Sequence, residues 1–125
     1  MSNAEDAFKS WLDAYGQAWE SRNPEAAAAL FAENGTYQVT PFLEPMSGEK
    51  AIFEYWSEVA RTEESIIFGY KILVAGVGVN IARWSASFVW VPPGLQTQLN
   101  GIFLIVLDDE GRCKSLQEWW HKQQK

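Results

Sequence analysis

One cysteine, one histidine and five prolines in 125 residues exclude several classes of protein at the outset. A lone cysteine, Cys113, cannot close an internal disulfide, and it fits a reducing compartment. One His and one Cys without a close cluster of carboxylates do not make a metal ligand set. No glycine-rich phosphate loop or dinucleotide fingerprint occurs, so no cofactor is expected. No apolar run approaches the length of a membrane span, and the N-terminus lacks the basic-then-apolar pattern of a signal peptide. Positive charge is scarce as well. Ten Lys and Arg against sixteen Asp and Glu leave a formal net charge of −6, which argues against nucleic acid and anionic membrane as partners. The expectation is a soluble, cytoplasmic chain.

Aromatic side chains are what the sequence has in surplus. They make up 14% of the residues and include seven tryptophans, within an apolar total of 47%. A chain of this length buries one real core and is too short for two, so residues 1–125 read as a single domain. Seven tryptophans exceed what such a core needs. Large aromatics also line ligand pockets and homodimer interfaces, and the excess points to one or both uses.

The first half reads helical. Phe8, Trp11, Leu12, Tyr15 and Trp19 recur at steps of three and four, an apolar stripe on a helix of about four turns. Asn23-Pro24 closes that helix and opens another, since Asn caps well and Pro suits the first helical position. The second helix runs from Glu25 to Ala32, with Leu30 and Phe31 inward and Asn34-Gly35 as a left-handed stop. A short strand follows from Thr36 to Val39. After a loop bracketed by Pro41 and Pro45, Ser47 is expected to cap a third helix with the face Ile52, Tyr55, Trp56 and Val59.

From Ile66 the pattern changes to strands. Ile66 to Ala75 and Val79 to Val91 are joined at Gly76-Val77-Gly78, Pro92-Pro93-Gly94 turns into Thr97 to Leu107, and Asp108 to Gly111 turns into a last strand from Arg112 to about His121. Long antiparallel strands with glycines twist and curl, and three helices are available to cover one side. The class is α+β, in the order ααβαββββ. On the second long strand Trp84, Ala86, Phe88 and Trp90 share one face, and Arg83, Ser85, Ser87, Val89 and Val91 the other.

Several strings resemble the nuclear-transport-factor-2-like (NTF2-like, cystatin-like) superfamily, especially its SnoaL-like and ketosteroid-isomerase-like branches. They are Ala29-Leu30-Phe31-Ala32-Glu33-Asn34-Gly35-Thr36, then Ser47-Gly48 with Ala51-Ile52 and Tyr55-Trp56. Asn100-Gly101 leading to Asp109-Glu110-Gly111-Arg112 and the terminal Glu118-Trp119-Trp120-His121 complete the set. The resemblance spans nearly the whole chain. It implies a cone of three N-terminal helices packed on a strongly curved mixed or antiparallel sheet, around a pocket. It also implies a homodimer through the outer sheet face. It does not imply one function, since the fold hosts enzymes and binding modules alike.

In the isomerase branch an Asp base shuttles a proton while a Tyr hydroxyl and a neutral Asp donate to the developing oxyanion. The resemblance puts Tyr15 at the tyrosine's position, Thr40 or Val39 at the base and Phe103 at the second acid. Two of three catalytic groups are therefore absent, and steroid isomerisation by that route is not expected. In the SnoaL-like pattern the terminal acid–base positions fall on Trp119 and His121.

Three candidates for proton handling remain. Tyr15 is either a core aromatic or a hydroxyl donor. Glu118, sharing parity with Trp120, either enters the pocket with a raised pKa or pairs with Arg83 or Lys114. His121 is either a base of suitable pKa or a solvated residue at the end of an edge strand. The expected pocket walls are Trp11, Tyr15, Trp19, Tyr37, Thr40, Phe42, Tyr55, Trp56, Phe103 and Trp120, and the expected partner is a small hydrophobic molecule. Two functions follow: a domain that binds such a molecule, or an isomerase, cyclase or dehydratase using Tyr15 with Glu118 or His121.

Overall fold

The computed structural model describes residues 3–125, so the first two residues of the single-domain reading lie outside it. Helix α1 (Asn3–Glu20) begins with Glu5 and Asp6 in its first turn, where negative charge suits the helix dipole, and buries Phe8, Trp11, Leu12, Tyr15 and Trp19. Helix α2 (Pro24–Ala29) starts as expected: the Asn23 side chain accepts from the Ala26 N–H at 3.1 Å, with Pro24 in the first turn. Helix α3 (Glu49–Thr62) buries Ile52, Trp56 and Val59.

Six strands form one sheet in the order β2-β1-β6-β5-β4-β3. They are β1 (Phe31–Gln38), β2 (Met46–Ser47), β3 (Glu63–Ala75), β4 (Asn80–Trp90), β5 (Leu95–Leu107) and β6 (Cys113–Gln124). Among the described residues only the β1–β6 pair is parallel; the other pairs are antiparallel. The α+β class and the cone of three helices on a mixed sheet hold. The element order gains one short strand, β2, between β1 and α3.

Two local expectations fail for the same reason. Asn34-Gly35 does not stop α2. That helix ends at Ala29 with Leu30 as its cap, and the chain passes directly into β1, where Asn34 and Gly35 sit at a shift in the β1–β6 register between Phe31 and Thr36. A Cβ on Gly35 would lie 2.7 Å from the Cys113 carbonyl oxygen, so the close approach of two strands is what requires glycine there. Ser47 does not cap α3 either. It pairs with Thr36 in β2, and Gly48, at φ 88°, takes the cap position without a side-chain bond. Strand pairing with distant partners overrides the local signal at both places.

The last strand is not an edge. β6 lies between β1 and β5, but β1 pairs with it only as far as Gln117, so the stretch beyond is paired on the β5 side alone. Cys113 is fully buried and burial raises its thiol pKa, so it acts as core filler and not as an activated thiol. No helix among the described residues is long and apolar enough to cross a membrane.

Candidate functional site

The alternation of the long strands turns one row of side chains toward the helices, and the large ones leave a cavity of about 300 Å³. Helix α1 contributes Tyr15 and Trp19, one turn apart; α3 contributes Tyr55, Trp56 and Val59; β1 contributes Tyr37 and Val39. The sheet wall carries Trp84, Phe88 and Trp90 from β4, Thr97 and Leu99 from β5, and Glu118, Trp120, Lys122 and Gln124 from β6. Glu63 completes the lining at the junction of α3 and β3. Its N–H still bonds to Val59 O as the helix cap while its backbone is already extended, so one residue serves both elements.

Gly101 makes that wall possible. It pairs with Trp84 on one side and Trp120 on the other. A Cβ there would stand 2.2 Å from the Trp119 carbonyl oxygen and 2.8 Å from the Trp120 Cβ. Without a side chain at 101 the two indoles flank a gap in the sheet's side-chain layer.

The cavity's polar groups stand among aromatic rings. The hydroxyls of Tyr15 and Tyr37 lie 3.1 Å apart and share one hydrogen bond. Burial raises both phenols well above the ordinary value, and Glu118 nearby adds to the shift. Tyr55 moves the same way, from burial first and then from Glu118 and Glu63. All three are therefore neutral donors at physiological pH.

Two carboxyls face this cavity. Glu118 is 6% exposed, and its Oε2 has no partner among the described residues. Burial alone pushes its pKa well up, because no cation pairs with it. Arg83 and Lys114 are absent from the ion pairs found, which are Lys9–Asp13, Arg61–Glu58 and Arg112–Glu110. Glu63 behaves differently. Burial raises it to about 7, and the Trp19 indole N–H, donating to its Oε1 at 2.7 Å, opposes the rise. Burial thus raises both acids, and Glu63 ionises near neutrality.

Of the residues expected from sequence, Tyr15, Trp19, Tyr37, Tyr55, Trp56, Glu118 and Trp120 meet in this cavity. Five do not line it. Trp11 stacks on Tyr15 at 5.1 Å, with its indole N–H donating to Leu30 O at 2.9 Å, one layer back. Phe103 is fully buried on the same face of the sheet as Glu118, its partner in register, stacked on Trp84 at 4.9 Å and edge-on to Tyr15 at 5.4 Å, below the cavity lining. Thr40 and Phe42 belong to the loop after β1. There the Thr40 hydroxyl accepts from the Phe42 N–H at 3.4 Å, and Phe42 is 92% exposed. His121 is exposed, opposite Asn100 in register, and the alternation of β6 puts it on the face away from Glu118. With Thr40, Phe42 and Arg83 it borders a second depression at the β1 loop, which shares Val39, Glu118 and Trp120 with the cavity.

Two kinds of residue escaped the sequence. Trp84 and Phe88 share the expected parity, and only the choice of face was missing. Glu63 carried no signal, because a helix that runs into a strand without a turn residue hides the junction. Among the described residues, no group of three or more His, Cys, Asp or Glu is placed to hold a metal ion.

A buried acid in an aromatic cavity under three helices defines a class of domain, and sequence comparison agrees with it. Residues 12–115 match the family profile described as the SnoaL-like domain, and the chain belongs to that family. No curated protein sequence matches the chain. Among solved structures, one similar fold is SalBIII, an epoxide hydrolase/cyclase-like enzyme reported in pyran ring formation in the polyether salinomycin. It is 18% identical over 97% of this chain and 95% of its own, at TM-score 0.82. Another, from Bacillus subtilis, is provisionally named an isomerase. It is 16% identical over 96% of this chain and 90% of its own, at TM-score 0.83. At these identities the likeness is one of fold.

Proposed function

We propose that the domain binds a small, mainly apolar molecule in the aromatic cavity and isomerises or cyclises it by proton transfer between buried carboxyls. The observation that carries this reading is Glu118, a carboxyl facing the cavity with an oxygen that no described residue satisfies. Such an atom costs a folded chain about 1–3 kcal/mol. A scaffold gains nothing from it, whereas an enzyme gains a carboxyl that holds its proton more tightly than a solvated one.

The division of labour follows from the two environments. Glu63, ionising near neutrality, takes a proton from a carbon or hydroxyl of the ligand. Glu118 gives its proton to the atom that receives the electron pair, and the bonds between rearrange. The ligand's formula is unchanged, and a proton returned from Glu63 to Glu118 through solvent resets the pair. The Tyr15–Tyr37 hydroxyls donate to negative charge developing on a ligand oxygen. A dehydration would use the same groups with loss of water. The two structural neighbours, one reported in ring formation and one provisionally an isomerase, support this class of chemistry. We further expect two copies to pair through the outer sheet face, where Ile67 and Trp119 are exposed.

The test uses two- and three-ring ketones and hydroxy-epoxides in D2O, followed by NMR for deuterium uptake and for isomeric products. Turnover is expected in the native chain. It should fall by about 100-fold or more in Glu118→Gln and also fall in Tyr15→Phe, with the far-ultraviolet circular dichroism unchanged. Compounds that bind yet never exchange or rearrange would leave a binding domain and end the catalytic reading.

A further inference from the structure

The outer face of the sheet carries a charge pattern that packing does not explain. Lys71 of β3 and Arg83 of β4 stand directly opposite each other in the antiparallel register, and both are exposed. Side chains so placed have Cβ atoms about 5 Å apart, and like charges there are destabilising. Neither joins an ion pair among the described residues; the pairs found lie elsewhere. Carboxylates are plentiful in a chain of net charge −6, yet none is placed to answer these two. Glu64, opposite Val89 on the same face, lies about 20 Å along β4 from Arg83 at the usual rise of a strand.

The next row supplies neutral donors. Gly69, Ser85, Asn100 and His121 follow one another across β3, β4, β5 and β6. With no side chain at Gly69, the row opens beside the two cations. Lys71, Arg83, Ser85 and Asn100 together line a depression of about 340 Å³ there, and no carboxyl among the described residues lines it. Arg83 and Asn100 also border the depression at the β1 loop. Arg presents a planar fork of N–H donors, and Lys a point charge beside it. A group with several negative oxygens satisfies such a set.

We infer that this face binds a small oxyanion of the phosphate class between Lys71 and Arg83, with Ser85 and Asn100 as neutral donors. The site lies on the far side of the sheet from the aromatic cavity, and neither Glu63 nor Glu118 takes part. It is independent of the proton-transfer reading. The same face is the one through which two copies are expected to pair. Pairing brings a second set of these cations to the face, and a bound oxyanion offsets their repulsion.

Titration with inorganic phosphate, followed by proton–nitrogen correlation NMR, tests this, with sodium chloride at equal ionic strength as the control. In the native chain the Gly69 and Ser85 amides, the Asn100 side-chain amide and the Arg83 guanidinium N–H should shift and saturate. The expected dissociation constant is about 1 mM, which two charge-assisted bonds can supply. Arg83→Gln should weaken binding roughly tenfold and Lys71→Gln by less, while the other cross-peaks report that each variant is folded. Chloride shifts of the same size, or phosphate shifts that never saturate, overturn the inference, since they show screening or an adventitious ion only. Saturable shifts that keep full affinity in both variants overturn it as well. So does movement of the same signals with rising protein concentration that phosphate fails to alter, because a carboxylate of a second copy then fills the site. None of these outcomes touches the reading of the helix-side cavity.

Discussion

The indole N–H of Trp19 meets Oε1 of Glu63 at 2.7 Å, tying the end of α1 to the point where α3 becomes β3. That contact fixes the carboxyl at the cavity wall, yet burial outweighs it and raises the pKa from 4.5 to about 7. The folded chain therefore holds this proton more tightly than the unfolded chain does.

The sign of the pH dependence follows. Below pH 4.5 both states are protonated and Glu63 costs nothing; as pH rises to about 7 the unfolded state releases its proton first, and stability falls. Above that window the loss is complete, up to about 3 kcal/mol at 1.36 kcal/mol per unit. Glu118, raised by the same cause, pushes in the same direction. Urea denaturation from pH 4 to 8 should show native stability declining and Glu63→Gln flattening the part between about 4.5 and 7. Identical profiles would mean that Glu63 titrates like a solvated acid and is no neutral-pH base.

The Tyr15–Tyr37 pair predicts non-additive losses. Tyr15→Phe removes one hydroxyl of the 3.1 Å contact and leaves the other buried, at a cost of roughly 1–2 kcal/mol. Tyr37→Phe does the same from the other side. The double variant removes both groups, so its destabilisation should be smaller than the sum of the singles. Strict additivity in denaturant titrations would show that the two hydroxyls are satisfied independently.

Gly101 is predicted to be irreplaceable by the smallest step. Gly101→Ala places a Cβ against the Trp119 carbonyl and the Trp120 Cβ, so the β5–β6 backbone must move. A loss of about 2–4 kcal/mol is expected, with a changed near-ultraviolet circular dichroism as the flanking Trp84 and Trp120 shift. An unaltered spectrum and melting temperature would show that the strands accommodate the methyl group without moving the cavity wall.

The fold was legible where local chemistry and global packing agree. The α1 stripe, the Asn23-Pro24 cap and the alternation in β4 each follow from a single periodicity or a single cap. Asn34-Gly35 and Ser47 were misread because their meaning depends on Cys113 and Thr36, which meet them only in the sheet. The site was legible in its aromatics, since a resemblance in order and spacing located Tyr15, Trp56 and Trp120. Its acid–base chemistry was half hidden. Glu118 could be placed by parity with Trp120, but its lack of an ion-pair partner among the described residues depends on side chains from several elements. Glu63 could not be placed at all, because its burial arises where α3 and β3 meet against Trp19.

Glu118 offers the sharpest separation of stability from function. Its Oε2 has no partner among the described residues, and as pH rises the unfolded chain gains by ionising this carboxyl before the folded chain does. Replacing it with a side chain of similar bulk and no polar atom removes both penalties at once. Glu118→Leu should therefore be more stable than the native chain, by about 1–3 kcal/mol, and should lose any proton-transfer activity. Such a trade is expected of residues kept for chemistry and not for packing. The stabilisation should also shrink as pH falls toward 4.5, where the unfolded carboxyl is protonated too. Urea denaturation of the native and variant chains at pH 5 and pH 8 measures both effects. A Leu variant that is less stable at pH 8 would show that the carboxyl makes a favourable contact, and Glu118 would then be a structural residue.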